Sequence, residues 1–178
     1  MRTKLRALAD RIAYYEWAYG CLAEADSEIG AVAEYLVGKL LNCLPPKRKV
    51  KSLHDLEMAD GTTIEVKASS SPSAEKGRPV QYLWKINSQA SSLRGKRELS
   101  QLWLFMIAAF PDSASSSRSF DVFDLKYWSV YPVPASALLA SGVRVKVKES
   151  TLRKLGIAPI PLADLRKKLP GILTSGNV

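Results

Sequence analysis

The chain has little of what most metal and thiol sites are built from. Its 178 residues include one histidine, His54, and two cysteines, Cys21 and Cys43. The cysteines make no metal spacing with each other, which excludes a structural zinc site and makes a reduced, cytoplasmic setting the expectation. No apolar run approaches the ~18 to 20 residues needed to span a bilayer. The opening stretch, MRTKLRALADRIAYYEW, carries acidic residues early and lacks a long apolar block with a cleavage site. It reads as a helix rather than a signal peptide. There is no internal repeat, no inter-domain linker, and no helix-turn-helix or zinc module that would specify a nucleic-acid target. Acidic residues are also scarce, 17 Asp and Glu against 26 Lys and Arg, for a formal net charge of +9.

That excess of positive charge is clustered. Lys47, Arg48 and Lys49, with Lys51, form one group; Arg94, Lys96 and Arg97 form a second; Arg153, Lys154, Arg166, Lys167 and Lys168 form a third. A single such run is commonly a solvated face, but three in one small basic domain point to a polyanion partner. Membrane-surface binding fits less well, because no cluster sits on a strongly amphipathic helix with aromatic insertion residues.

An apolar content of 47% in a chain of this length suits one domain with a sizeable core and mixed helix and strand. Residues ~3–20 show helical spacing through Leu5, Leu8, Ile12, Tyr15 and Tyr19. Ser27 is a candidate N-cap for a second helix running to about Leu41, stopped before Pro45-Pro46. Val80–Ile86, Leu102–Ala109 and Tyr127–Val133 read as strands, the last ended by Pro132 and Pro134. Short helices are expected near Ala135–Leu139, Ser150–Leu155 and Leu162–Leu169. The expected single domain spans residues 1–170, and residues 171–178 form a frayed tail.

The segment Ser52–Ser69, SLHDLEMADGTTIEVKAS, carries the chemistry. It reads as a hairpin, and register decides what its faces hold. A two-residue Asp60-Gly61 loop would mix apolar and charged groups on both faces. A three-residue loop, Ala59-Asp60-Gly61, pairs Leu56 with Ile64, Met58 with Thr62 and Asp55 with Glu65. It also puts Gly61 at the left-handed position that such loops favour. Leu56, Met58, Ile64 and Val66 then face the core, while Asp55, Glu57, Glu65 and Lys67 share the other face. His54 would point to the apolar side. Two carboxylates and a lysine gathered this way suit a divalent cation and an attacking water. The same three side chains also fit a cross-strand ion-pair array on an exposed face.

Asp55 followed after nine residues by Glu65-Val66-Lys67 resembles the PD-(D/E)xK nuclease motif, without the proline before the first aspartate. Upstream, Gly30-Ala31-Val32-Ala33-Glu34 is similar to the G-x-x-A-E helix signature that precedes this motif in many members. AEYLV, DLEMADGTTIEVKASS and WLFMIAAF followed by DLKYWSVYPVP are similar to a bacterial group of small restriction-endonuclease-like proteins. The resemblance covers most of residues 28–170. It implies an α/β, restriction-endonuclease-like core with a central mixed sheet of four to five strands flanked by helices. It further implies an Mg²⁺-dependent endonuclease, with Mn²⁺ as substitute, acting on double-stranded DNA in restriction or phage defence, as a homodimer. By the same resemblance Asp55, Glu65 and the Val66 carbonyl hold the metal, Lys67 orients the water or neutralises the transition state, and Glu34 holds a second metal or its water. Glu28 is the fallback for Glu34, although the helix dipole already accounts for an acid in a first turn. By the same resemblance Trp84 and Lys85, on the strand after Glu65-Val66-Lys67, stand where a nuclease of this kind meets the scissile backbone; Gln81 and Gln101 are weaker candidates, and Gln101 stands where similar proteins prefer an acidic residue. The other function class is a catalytically silent nucleic-acid-binding subunit of a repair or defence complex.

Overall fold

The computed structural model describes residues 11–18, 28–46, 54–70, 81–86, 100–109, 121–143 and 146–175. Helix α1 (residues 11–18) and α2 (Glu28–Leu41) are followed by strands β1 (Leu56–Glu57), β2 (Thr63–Ser69), β3 (Leu83–Lys85), β4 (Leu102–Ala108) and β5 (Trp128–Pro134). Then come α3 (Ala135–Ala140), β6 (Lys146–Lys148), α4 (Glu149–Lys154), β7 (Ile160–Pro161) and α5 (Leu165–Ser175), the last entered through a 3₁₀ turn at Leu162–Asp164. The proposed Ser27 cap lies outside the described residues.

Five strands form a mixed sheet in the order β1-β2-β4-β5-β7, with β2 and β4 parallel and the other pairs antiparallel. The expected mixed sheet flanked by helices is present. Its membership differs from expectation at two strands. The expected third strand leaves the sheet and joins β6 in a separate antiparallel ribbon. The fifth place is taken by β7 (Ile160–Pro161), a two-residue strand after Pro159 that carries no readable alternation.

β4 is buried at all seven positions, which is why its sequence is an unbroken apolar run. Alternation along β2 and β4 divides the interior into two layers. Ile64, Val66, Leu102, Leu104 and Met106 pack with α2, Leu165 and Leu169 on one face. Trp103, Phe105 and Ile107 pack with Trp84, Tyr131, Val133, Leu138, Val147 and Leu152 on the other. The four tryptophans each donate the indole N–H to a backbone carbonyl: Trp17 to Pro45, Trp84 to Met106, Trp103 to Ser100 and Trp128 to Val122. Trp103 and Trp128 are core residues, as is usual for tryptophan in a buried strand.

α2 is buried along almost its whole circumference, against β2 on one side and α1 on another, where Tyr35 meets Tyr14 and Trp17 with ring centroids 5.5 and 5.6 Å apart. It ends in a Schellman arrangement. Asn42 takes φ 57°, its N–H reaches the Lys39 carbonyl, and the Cys43 N–H reaches Gly38. The turn brings Leu44 back onto Gly38, where a Cβ would lie 2.7 Å from Leu44 Cδ1 and 3.1 Å from its Cα.

Two proline expectations are corrected. Pro132 lies inside β5, and only Pro134, its last residue, stands where the strand ends. The Ala135 N–H bonds Gln101 on the β4 side, so the alternate positions 134 and 132 point to the opposite edge. β7 pairs there only with Ser129 and Val130, and a missing N–H leaves no ladder bond unmade. Pro170 does not stop the last helix, which runs to Ser175 with Leu169 buried beneath it. Residues 171–175, expected in a frayed tail, are therefore helical, and residues 176–178 lie outside the described residues.

Candidate active site

The hairpin adopts the three-residue register. Leu56 pairs with Ile64 and Glu57 with Thr63; the Met58 N–H bonds the Thr62 carbonyl. Gly61 has φ 83°, and the Asp60 carboxylate accepts from the Thr62 N–H at 2.9 Å, closing the loop. The same register places Asp55 opposite Glu65, but regular pairing stops at Leu56. Asp55 instead turns its carboxylate into the ladder, where Oδ2 accepts the Val66 N–H at 2.7 Å. A residue's N–H and C=O lie on the same side of its strand. The Val66 carbonyl therefore also faces the edge where Asp55 sits.

Glu65 and Lys67 occupy the sheet face of Trp103 and Phe105, their register neighbours on β4. That placement buries Glu65 to 3% exposure, an unusual position for a carboxylate. Lys67 Nζ reaches Glu65 Oε1 at 2.5 Å and keeps a quarter of its side chain exposed. The Glu65 carboxyl is pushed up to about 7, first by burial and then by the Asp55 charge, with Glu34 adding to it and Lys67 opposing it. For Lys67, burial works downward, but Glu65, Asp55 and Glu34 together hold the ammonium above its ordinary range. Glu34, buried to 7% on α2, is thus felt by both residues from the helix side. The exposed ion-pair array allowed by the sequence does not describe this arrangement. These four groups meet at a partly dry sheet edge, with three acids around one lysine.

The donor types suit a hard divalent cation, which takes oxygen ligands and keeps several waters. Asp55 and Glu65 supply carboxylates, and the Val66 carbonyl supplies a third oxygen at the same edge. A buried carboxyl raised by neighbouring negative charge is one that a cation would return to its ionised form. Among the described residues no three His, Cys, Asp or Glu side chains form a ligand group by themselves.

The remaining residues are placed as follows. His54 is a quarter exposed and pairs with Glu57 at 3.4 Å, so it does not enter the core as expected, and Glu57 is half exposed on that pair. Beside them a cleft of about 360 Å³ between the end of α2 and β1 is lined by Cys43, Pro45, His54 and Asp55, among others. Gln101 is structural: its Oε1 accepts the Thr63 N–H and its own N–H donates to Thr63 Oγ1, tying β4 to β2. Gln81 accepts from Ser150 Oγ. Trp84 is core rather than backbone-contacting, while Lys85 beside it is exposed. Lys47, Arg48, Lys49, Arg94, Lys96 and Arg97 lie outside the described residues. Lys146 and Lys148, which the sequence reading missed, face Lys85 and Leu83 across the β3–β6 ribbon; the K-V-K alternation was their only signal, and three residues are too few to weigh.

Among the described residues no helix is long and apolar enough to cross a membrane. No protein-family model matches this chain, and no curated protein matches it either.

Proposed function

We propose that this protein is a divalent-metal-dependent phosphodiesterase that hydrolyses DNA, an endonuclease of the PD-(D/E)xK type working in restriction or phage defence. The observation that carries this reading is the buried Glu65 carboxyl, held against Lys67 with Asp55 and Glu34 close enough to shift it. Asp55, Glu65 and the Val66 carbonyl would hold Mg²⁺ or Mn²⁺. That ion would supply an acidified water and charge neutralisation at the phosphate. Lys67 stays cationic throughout the working pH range, and on release from Glu65 its ammonium is free to stabilise charge developing on a phosphate oxygen. Glu34 keeps a further carboxylate within range, for a second ion or its water. One site per chain favours a homodimer for cutting both strands of a duplex, in the cytoplasm.

The Lys67–Glu65 ion pair favours a second reading, a catalytically silent nucleic-acid-binding subunit, because it satisfies one carboxylate with no metal present. Plasmid digestion with Mn²⁺, beside an Asp55→Ala control, separates the two. Cleavage by the parent alone, with Mn²⁺-dependent thermal stabilisation that Asp55→Ala abolishes, supports the enzyme. A parent that neither nicks DNA nor gains stability with Mn²⁺ returns the site to the binding role.

A further inference from the structure

The β3–β6 ribbon lies on the same sheet face as Glu65 and Lys67. Trp84 and Val147 point inward; Trp84 packs on Phe105, ring centroids 5.4 Å apart, and donates to the Met106 carbonyl. Phe105 is the register neighbour of Lys67. The outward positions hold Leu83 and Lys85 on one strand and Lys148 and Lys146 on the other, with Lys85 directly opposite Lys146. Like charges directly opposite each other destabilise a ribbon, and Lys148 stands only about 6.7 Å along the strand from Lys146. Among the described residues none of the three lysines has an ion pair. Glu149, the next residue, is committed to the Tyr131 hydroxyl at 2.7 Å and to Arg153 at 2.7 Å. The ribbon is also braced, since the Glu149 N–H bonds the Tyr82 carbonyl and Ser150 bonds Gln81.

We propose that the outer face of this ribbon, through Lys85, Lys146 and Lys148, grips the sugar–phosphate backbone of a DNA duplex and lays it beside the Asp55–Glu65–Lys67 site. This rests on the nuclease reading above. A DNA groove admits a two-stranded ribbon, and lysines act on phosphates as point charges, so the contact is independent of sequence. An anionic membrane fits less well. The exposed large apolar residues among those described are Ile12, Tyr15, Leu139 and Leu155, none of them on the ribbon, so it has no insertion anchor.

The test is fluorescence anisotropy with a short labelled duplex in EDTA, across a salt series, for the parent and the triple variant Lys85→Gln/Lys146→Gln/Lys148→Gln. Each phosphate contact contributes about 0.9 to the slope of log K against log salt, so the triple variant should lose roughly 2 to 3 from that slope. Its affinity at low salt should fall roughly tenfold or more. The single variants, which leave two lysines and need little refolding tolerance, should each lose about 0.9. Unchanged slopes in folded variants, or a parent that binds anionic vesicles but no duplex, would overturn the proposal. Mn²⁺ melts of the same proteins keep the two readings apart. A triple variant that keeps the metal response but loses DNA supports the ribbon. A parent with no metal response whose slope still drops on substitution removes the catalytic reading and leaves the ribbon standing.

Discussion

Glu65 makes the protein's stability depend on pH in an unusual direction. Its carboxyl stands at about 7 in the folded protein against 4.5 ordinarily, with burial as the leading cause. The folded state therefore binds a proton that the unfolded state has released between those two values. Stability then falls as pH rises from about 4.5 to about 7 and levels off above. At 1.36 kcal/mol per pKa unit, the ionised group costs on the order of 3 kcal/mol at pH 8. For a chain of this size that is roughly 6 to 12 °C in Tm. Two other shifted groups titrate outside this window. Lys67 is raised, so its contribution is complete below 10.5 and is lost only at higher pH. Burial works to raise Glu149, but Arg153 and Tyr131 outweigh it and hold the carboxyl low, so its stabilisation is lost only in acid below the window. Calorimetric melts of the metal-free protein from pH 4.5 to 8.5 should show Tm falling through the window. Glu65→Gln should flatten the profile and melt higher than the parent at pH 8. Saturating Mn²⁺ should flatten the parent's profile as well, because a bound cation displaces the proton. Parallel profiles for parent and Glu65→Gln would refute the reasoning.

Other outcomes follow from the same contacts. Lys67→Ala should abolish DNA nicking while retaining Mn²⁺ binding by titration calorimetry at pH 8; a variant that cuts as fast as the parent would leave Lys67 as an ion-pair partner alone. The same variant removes the cation that opposes Glu65's rise, so its stability should keep falling above pH 7, read in the same melts. Gly38→Ala should destabilise by about 1 to 3 kcal/mol in urea unfolding, because the new methyl meets Leu44 where the turn returns on α2. Trp84→Ala should cost about 3 to 5 kcal/mol by the same method and weaken DNA binding with it, since the ribbon loses its anchor on Phe105 and Met106.

Wherever the hydrophobic pattern was long enough to be unambiguous, local sequence was sufficient. The hairpin register followed from Leu56, Met58, Ile64 and Val66 needing one face and Gly61 needing a left-handed backbone, and the pairing of Leu56 with Ile64 agrees. The seven buried residues of β4 and the two-proline strand β5 were likewise legible as strands. Only tertiary structure decided where β3 went, because Leu83–Lys85 reads the same whether it extends the main sheet or pairs with Lys146–Lys148. Pro170 shows the same limit: a local rule ends the helix there, and burial of Leu169 against the sheet overrides it. The site divides along that line too. Spacing put Asp55, Glu65 and Lys67 within one hairpin. The burial that raises Glu65 comes from β4, some forty residues away, and Glu34 comes from a helix on the other face. Side-chain identity and spacing are local properties, whereas desolvation and through-space charge exist only once distant segments have packed.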